Sequence, residues 1–344
     1  MTKFLTIAVA LAVAQTTVQA QPVPPAPVLG SEKDADGRPL PFGRQPVRPY
    51  GEPLGSGPYR AIMATDASLP AHVLYYPKNL ARAGKLPIVV FGNGACINAG
   101  NRFRYFLTEI ASHGYLVAAN GVMANDKLEV GPQENPAIRA PGSPQPPPPS
   151  PEQRAANARR APGTTTAAQL TEAIDWAVRE NERPGSPFYH RLDTSKIAAM
   201  GQSCGGVQAL NIAGDPRLTT LMIWSSGVGM IPNNPTDPTT VLATVHTPIA
   251  YIHGDGEHDV AYRASVDNVQ RLGARGIPVF GAWQDGMTHL GTYGQANGGY
   301  FGKIAVAWLD WRLKGKGSAA AMFRGAKCTL CTGPGWHVTK SGID

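Results

Sequence analysis

Short runs of apolar residues alternate along most of the chain with longer segments in which apolar residues recur every three or four positions. Apolar runs of this length predict buried β-strands, and the periodic segments predict amphipathic helices. The predicted strands are AHVLYYP, LPIVVFG, YLVAANG, SKIAAMG, TTLMIWSS, TPIAYIHG and IPVFGAW. The predicted helices cover residues 102–112, 166–181, 205–213, 264–272 and 299–313.

This order of elements predicts an α/β fold. When strands and helices alternate, the strands form a mostly parallel central sheet with helices on both of its faces. A ligand then binds beyond the carboxyl ends of the strands. The residues that directly follow each predicted strand are therefore the candidates for chemistry.

Three segments fall outside this alternation. Residues 1–20 combine Lys3, a short apolar run and a polar stretch ending at Ala20, which predicts a signal peptide and a secreted or periplasmic location. Residues 21–56 are rich in Pro and Gly and predict an extended arm. Residues 125–163, which contain PGSPQPPPPSPEQ, predict either a disordered excursion or a flap over a site. We expect residues 57–344 to form a single domain that carries this excursion.

Composition and charge narrow the choice of partners. The chain has 344 residues, of which 42% are hydrophobic, and this is enough for one large core. The net charge is +7, but Lys and Arg are scattered rather than gathered into a stripe, which argues against nucleic-acid binding. No cysteine lies near the predicted cleavage site, and no later segment reaches the length of a membrane helix, so we expect no lipid anchor and no membrane insertion. Oligomeric state has no signature in the sequence.

A nucleophile motif follows the predicted strand SKIAAMG. The residues Gly201-Gln202-Ser203-Cys204-Gly205 fit the pattern G-x-S-x-G between a strand and a helix. In such a strand-to-helix turn, called a nucleophile elbow, the serine is exposed at the edge of the sheet, and the glycines let the turn close. We therefore predict that Ser203 is a nucleophile, with an ordinary glycine-rich turn as the alternative.

A nucleophilic serine needs a base, and the base needs a carboxylate that orients it. In this topology the carboxylate and the histidine follow the serine in that order. Asp259, in the loop DGEHDVAY after TPIAYIHG, is the predicted acid, and its competitors are Asp255 and Glu257. A helix N-cap is the alternative role for Asp259.

The predicted base is His289. It lies in the Gly-rich loop WQDGMTHLGTYG between the last predicted strand and the last predicted helix. Its competitor is His337 in the tail of the chain, and hydrogen bonding to local backbone is the alternative role for His289. His253 and His258 flank the acid loop and are interpreted as supporting or surface residues.

Two backbone amides are expected to form an oxyanion hole. One belongs to the residue after the nucleophile, Cys204, and the other to the loop FGNGACINAG, where we favour Ala95. If both amides face one oxygen, Cys96 and Cys204 come close together. Export makes a disulfide between them chemically feasible. We predict this bond, with a small buried thiol as the alternative.

The other two cysteines form the stretch Cys328-Thr329-Leu330-Cys331. A redox C-x-x-C opens a helix after a strand, and this one does not, so a local structural disulfide is favoured over thiol exchange. A zinc site would need two further ligands, and only His337 is a candidate. We predict no metal and no organic cofactor.

Aromatic residues near the predicted site loops are candidates for a substrate cleft. Trp224, at the end of TTLMIW, is the main candidate, and Trp283, Tyr293 and Tyr262 are others. Core packing is the alternative role for these side chains.

Residues 72–314 resemble the α/β-hydrolase superfamily. The resemblance rests on VLYYPKNL, PIVVFGNGA, FLTEIASHGYLVAANG, LDTSKIAAMGQSCGG, TPIAYIHGDGEHDVAY and GKIAVAWLDWRLKG. These stretches look like the secreted branch that contains bacterial cutinases, polyester hydrolases and dienelactone-hydrolase-like esterases. The resemblance implies an α/β-hydrolase fold, a catalytic triad of Ser203, Asp259 and His289, and oxyanion amides at Ala95 and Cys204.

Two positions depart from the family pattern. Cutinases of this type usually carry an aromatic residue where this chain has Ala95, and a methionine where it has Cys204. Both positions border the acyl pocket in that family. The resemblance therefore supports ester hydrolysis more firmly than polyester hydrolysis.

The sequence thus predicts an exported serine carboxylester hydrolase that acts through an acyl-enzyme on a small-molecule or polymeric ester. Amide, lactone or thioester substrates would use the same residues. Two alternatives belong to other classes: a non-catalytic binding protein on the same fold, and a thiol oxidoreductase that uses Cys328 and Cys331. The presence of all three triad positions favours the enzyme.

Overall fold

One continuous β-sheet forms the centre of the protein. The computed structural model describes residues 55–124, 164–230 and 237–344. The strands are β1 (Ala61–Ala64), β2 (His72–Pro77), β3 (Leu86–Gly92), β4 (Leu116–Asn120), β5 (Leu192–Gln202), β6 (Leu218–Trp224), β7 (Ile249–Gly254), β8 (Val279–Gln284) and β9 (Trp336–Ser341). They form a nine-stranded sheet in the order β1-β2-β4-β3-β5-β6-β7-β8-β9.

The sheet is mostly parallel, as the sequence predicts. Pairing is parallel from β4 through β3, β5, β6 and β7 to β8. The pairs β1 with β2, β2 with β4, and β8 with β9 are antiparallel. The carboxyl ends of the parallel strands therefore meet at one edge of the sheet, where α/β proteins bind their ligands.

The apolar pattern identifies every strand except the two at the edges. The predicted strands are confirmed as β2 to β8. β1 has only four residues, and β9 has one buried residue among its six, so neither carries a long apolar run. Edge strands of this kind are held by pairing with a neighbour more than by burial. Hydrophobic pattern alone therefore does not reveal them.

Helices lie between most of the strands. They are α1 (Leu80–Ala83), α2 (Arg104–Ser112), α3 (Ala167–Glu182), α4 (Cys204–Asn211), α5 (Pro238–Thr244), α6 (Tyr262–Ala274), α7 (Gly299–Lys314), α8 (Gly317–Ala320) and α9 (Thr329–Thr332). The five predicted helices correspond to α2, α3, α4, α6 and α7, with ends that differ by up to two residues. The others have four to seven residues and are too short to produce a clear apolar period.

Helices cover both faces of the sheet. Val89 and Phe91 of β3 belong to a buried cluster that includes residues of α2 and α7. Ile88 and Val90, the alternate residues of the same strand, belong to a second cluster with residues of α3 and α6. A strand that is buried on both faces has no need for polar residues, which explains the uninterrupted apolar run in β3.

The predicted signal peptide, nearly all of the predicted arm and the predicted excursion at residues 125–163 lie outside the described residues. The last residue of the arm, Ser56, donates its backbone N–H and its hydroxyl to the carboxylate of Glu109 in α2, at 2.7 and 2.6 Å. Within the described ranges, no helix combines the length and the apolar character needed to cross a membrane.

Close packing of two backbones behind Ser203 requires glycine at position 205. A Cβ on Gly205 would lie 2.0 Å from the backbone of Gly92 in β3, which cannot retreat without moving the sheet. We expect Gly205→Ala to lower the free energy of unfolding by about 3 kcal/mol. Gly317→Ala is the control, because a Cβ there meets nothing within 4 Å. Urea unfolding measures both variants, and a small, equal effect of the two would contradict the close packing.

Candidate active site

A strained turn presents Ser203 at the carboxyl edge of the sheet. β5 ends at Gln202 and α4 begins at Cys204, so Ser203 alone makes the turn. It has φ 53° and ψ −124°, a conformation that is unfavourable for a residue with a Cβ. Its N–H donates to the carbonyl of Trp224 at 3.0 Å, and its carbonyl accepts from the Ser226 hydroxyl at 2.6 Å. These hydrogen bonds, to Trp224 at the end of β6 and to Ser226 just after it, hold Ser203 in the strained conformation.

Three side chains form a continuous hydrogen-bonded chain at this edge. His289 Nε2 lies 2.9 Å from Ser203 Oγ, and His289 Nδ1 lies 2.7 Å from Asp259 Oδ1. Asp259 accepts a hydrogen bond from Nδ1, which therefore carries the proton of the ring. The lone pair of Nε2 then faces the serine hydroxyl and can accept its proton. The structure thus brings together the three residues that the sequence predicts as a triad, from the loops after β5, β7 and β8.

The carboxylate of Asp259 is buried and fully hydrogen-bonded. Oδ1 also accepts the N–H of Ala261, and Oδ2 accepts the N–H of Gly254, both at 2.8 Å. Burial alone would raise the pKa of Asp259, but the hydrogen bonds from His289 and from the two amides outweigh it and hold the pKa below its ordinary value. Asp259 therefore stays ionised, which suits a group that orients and stabilises an imidazolium.

We expect Asp259 to make stability depend on pH in the acid range. Its folded-state pKa lies below its value in the unfolded chain, which is about 3.9, so the unfolded chain binds the proton more readily. Its contribution is therefore present above that value and is lost as the pH falls through the folded-state pKa. Urea unfolding should give a difference between wild type and Asp259→Asn that is largest above about pH 5 and shrinks toward about pH 3. A difference that does not change over this range would contradict the lowered pKa.

A disulfide joins Cys96 to Cys204, as predicted, and the buried-thiol alternative is wrong. The two Cα atoms are 5.2 Å apart.

The backbone amides of Cys204 and Ala95 lie at the beginnings of helices. Cys204 is the first residue of α4, and Ala95 lies in a one-turn 3₁₀ helix, Gly94–Cys96. Amides at the first positions of a helix have no acceptor within that helix, so the backbone N–H groups of Ala95 and Cys204 make no intrahelical bonds. Ala95 and Cys96 have φ values of 54° and 47°, which turn this loop toward the elbow.

Buried amide side chains reinforce the disulfide. Gln208 Nε2 donates to Cys96 Sγ at 3.0 Å and to the carbonyl of Thr165 at 2.7 Å, while its Oε1 accepts from Asn120 Nδ2 at 2.8 Å. Asn120 Oδ1 in turn accepts the N–H of Asn93 at 3.2 Å. Asn93, Asn120, Thr165 and Gln208 are all buried, and hydrogen bonds in a buried environment are strong. The loop that carries Ala95 is thus held by one covalent bond and by a polar network.

Gln202 is a site residue that the sequence reasoning missed. Its Nε2 donates to the carbonyl of His289 at 3.0 Å. Its Oε1 lies 1.9 Å from the point where Gly94 would carry a Cβ, so Gly94 can only be glycine while Gln202 keeps this position. Gln202 therefore contacts both the loop after β8 that carries His289, the histidine loop, and the turn Gly94–Cys96. The pattern G-x-S-x-G leaves this position unspecified and gives no signal for it.

The competing histidine and carboxylates make other contacts. Asp255 accepts from His258 Nδ1 at 2.7 Å, and Glu257 is exposed. His337 lies in the edge strand β9, and its Nε2 is 3.0 Å from Asp285 Oδ1. Among the candidate pairs, only Asp259 with His289 is connected to Ser203.

Trp224 lies in the core rather than in a cleft. Its side chain has 0% exposure, and its ring packs against Phe106 and Phe301 with centroids 5.2 and 5.1 Å apart. A side chain with no exposed surface cannot touch a substrate in this conformation. This placement agrees with the core-packing alternative and argues against the predicted role in substrate binding.

The second predicted disulfide, between Cys328 and Cys331, is also present. Contrary to the expectation from the sequence, this C-x-x-C does begin a helix: Cys328 is the N-cap of the four-residue α9, which follows α8 rather than a strand. Cys328 Sγ accepts the N–H of Cys331 at 3.0 Å. The bond thus closes one short turn in the tail. Over the ranges that the structure describes, no group of three or more His, Cys, Asp or Glu side chains is arranged to hold a metal ion.

Comparison of the chain with known protein families gave no match, and comparison with curated proteins gave none either. The site thus consists of a serine, a histidine and an aspartate in hydrogen-bond contact at the carboxyl edge of the sheet of a mixed α/β protein.

Proposed function

We propose that this protein is an exported serine hydrolase that cleaves carboxylic esters through an acyl-enzyme. The observation that carries the proposal is the hydrogen-bonded chain from Ser203 Oγ through His289 to Asp259, at 2.9 and 2.7 Å. The nucleophile after β5, the acid after β7 and the histidine after β8 follow the order that is typical of α/β-hydrolases, and we assign the fold to that superfamily.

The first half of the proposed reaction forms the acyl-enzyme. Ser203 Oγ attacks the ester carbonyl carbon while His289 Nε2 takes the hydroxyl proton. Asp259 stabilises the imidazolium, and the amides of Ala95 and Cys204 donate to the negatively charged oxygen of the tetrahedral intermediate. When the carbon–oxygen bond of the ester breaks, the leaving alkoxide takes the proton from His289 and departs as an alcohol.

The second half releases the acid and restores the serine. A water molecule loses a proton to His289 Nε2 and attacks the acyl carbonyl carbon. The second tetrahedral intermediate expels Ser203 Oγ, which recovers the proton from His289. The product is a carboxylic acid, and the cycle consumes one water molecule. None of these steps needs a cofactor.

Export is part of the proposal. Its support is the pattern of residues 1–20 and the two disulfides, since disulfides persist in oxidising compartments. The substrate is proposed to be an ester, either a small molecule or a polymer. Amides, lactones and thioesters present the same carbonyl to the same groups and are the alternatives within this reaction class.

The test is hydrolysis of p-nitrophenyl esters from acetate to long acyl chains, by the mature protein and by Ser203→Ala. Turnover that disappears in the variant would support the serine mechanism, and the chain-length optimum would measure the acyl pocket. A polyester film tested in parallel would distinguish a polymer substrate from a soluble one. A folded wild-type protein that cleaves none of these, nor the matching amides, lactones and thioesters, would overturn the proposal in favour of a binding protein.

A further inference from the structure

Asp255 connects the two loops that carry Asp259 and His289. It is the first residue after β7, and sequence reasoning treats it only as a competitor for the role of acid. Its carboxylate makes no contact with His289 in this structure; instead it binds backbone and side-chain donors from both loops. These contacts give Asp255 a different function from that of Asp259.

Both carboxylate oxygens of Asp255 accept hydrogen bonds. Oδ1 accepts the N–H groups of Glu257 and His258 at 3.0 and 2.9 Å, and it also accepts from His258 Nδ1 at 2.7 Å. Oδ2 accepts the N–H of Gly286 at 2.6 Å, and Gly286 belongs to the histidine loop. A carboxylate that only closed its own turn would have no bond to the second loop.

The backbone of Asp255 makes the same two connections. Its N–H donates to the carbonyl of Met287 at 3.2 Å, in the histidine loop. Its carbonyl accepts the N–H of Asp259 at 3.0 Å, in the acid loop. Side chain and backbone of one residue thus fix the spacing between the loops that bring the acid and the base together.

His258 extends this connection to the base itself. Its imidazole is held by Asp255, and its carbonyl accepts the N–H of His289 at 3.2 Å. Asp255 and His258 side chains are each 14% exposed, so water competes little for their contact. His258 thus links Asp255 to the backbone of His289, whose imidazole must reach Ser203.

We propose that Asp255 is a positioning residue for the triad: its carboxylate sets the position of His289 relative to Ser203 and Asp259. This inference rests on the proposed function, because the position of His289 matters for rate only if Ser203 is the nucleophile. Proton transfer from serine to histidine depends steeply on geometry, and a displacement of about 1 Å costs on the order of 100-fold in rate. Asp255 acts through other residues and does not touch the substrate.

The test compares Asp255→Asn with Asp285→Asn. The asparagine keeps one carbonyl oxygen for its own turn, but its NH₂ group cannot accept the N–H of Gly286. Asp285 is the matched control: it precedes Gly286 in the same loop, but its carboxylate is 47% exposed and pairs with His337 of β9 at 3.0 Å instead of with the loop of Asp259. Asp255→Ser, whose hydroxyl can still close the turn, serves as the second variant if the asparagine does not fold.

Two readouts are taken on each folded variant. The first is kcat and KM per active site, with the sites counted by labelling with a fluorophosphonate. We expect kcat to fall between about 10-fold and 100-fold in Asp255→Asn with a smaller change in KM, and to stay within about twofold in Asp285→Asn. The labelling is carried to completion, so that slower reaction at a misplaced base does not lower the count. The count then separates misplacement of the base from a mere loss of folded protein.

The second readout does not depend on activity. We expect the proton between His289 Nδ1 and Asp259, whose atoms are 2.7 Å apart, to give a far-downfield proton resonance, which its loss in Asp259→Ala would assign. We expect this resonance to shift or broaden in Asp255→Asn and to match wild type in Asp285→Asn. Wild-type values of both kcat and resonance in Asp255→Asn would overturn the inference. If wild type had no hydrolase activity, the proposed function would fail, and the resonance alone would decide whether Asp255 positions His289.

Discussion

Replacement of His289 by alanine is expected to lower kcat for a p-nitrophenyl ester by about 10⁴-fold or more. His289 Nε2 lies 2.9 Å from Ser203 Oγ and is the one base in contact with that hydroxyl among the described residues. Without it the serine must lose its proton to water, and the leaving alkoxide has no proton donor. Steady-state kinetics on the variant measure the loss.

The control is His337→Ala, which removes a histidine that also pairs with an aspartate but lies in the edge strand β9. It should keep kcat within about twofold of wild type. Ser203→Ala should lose as much activity as His289→Ala, and the double variant should lose no more than either single variant, because residues that act as one unit are not additive. Additive losses, or a His289→Ala variant with more than a tenth of wild-type activity, would contradict the triad.

Removal of the Cys96–Cys204 disulfide is expected to affect stability and rate together. The two cysteines are 108 residues apart, and loop-closure entropy for a loop of that size is worth about 4 to 5 kcal/mol. The same bond holds the two loops that carry the amides of Ala95 and Cys204. Loss of one oxyanion donor costs on the order of 100-fold in kcat. We therefore expect the double variant Cys96→Ala with Cys204→Ala to have a lower free energy of unfolding and a lower kcat.

The matched control is the double variant Cys328→Ala with Cys331→Ala. That disulfide spans three residues in the tail, so its loss should cost about 2 kcal/mol or less and leave kcat unchanged. Chemical unfolding gives the stability of each variant, and kinetics well below its unfolding transition give the rate. If the Cys96 and Cys204 variant kept wild-type kcat while losing stability, the disulfide would be a structural bond with no part in placing the oxyanion amides.

The residues that sequence alone identifies have a local signature. Ser203 follows an apolar strand and precedes a helix inside a glycine-rich motif, and this context specifies the turn. Asp259 and His289 follow from the order of strands, since each lies in the loop after a predicted strand. The Cys96–Cys204 bond followed from one further step, namely that two amides must face the same oxygen. Strand order and loop position are properties that a sequence carries directly.

The residues that sequence alone does not identify act across long separations. Gln202 binds the carbonyl of His289, 87 positions away, and Asp255 binds the amide of Gly286, 31 positions away. Both contacts involve backbone atoms, which every residue has, so no pattern of side chains marks the partner. Trp224 illustrates the opposite problem. An aromatic residue at the end of a strand fits a cleft and a core equally well, and only packing against Phe106 and Phe301 decides.

The most direct measurement is the reaction of the folded protein with a fluorophosphonate, followed by mass spectrometry of the intact chain and of its peptides. We expect one adduct per chain, attached to Ser203, because only a serine activated by a base forms this bond at an appreciable rate. His289→Ala should slow the labelling strongly, and Ser203→Ala should abolish it. A folded wild-type chain that remained unlabelled, or that carried the adduct on another residue, would contradict the assignment of Ser203 as the nucleophile.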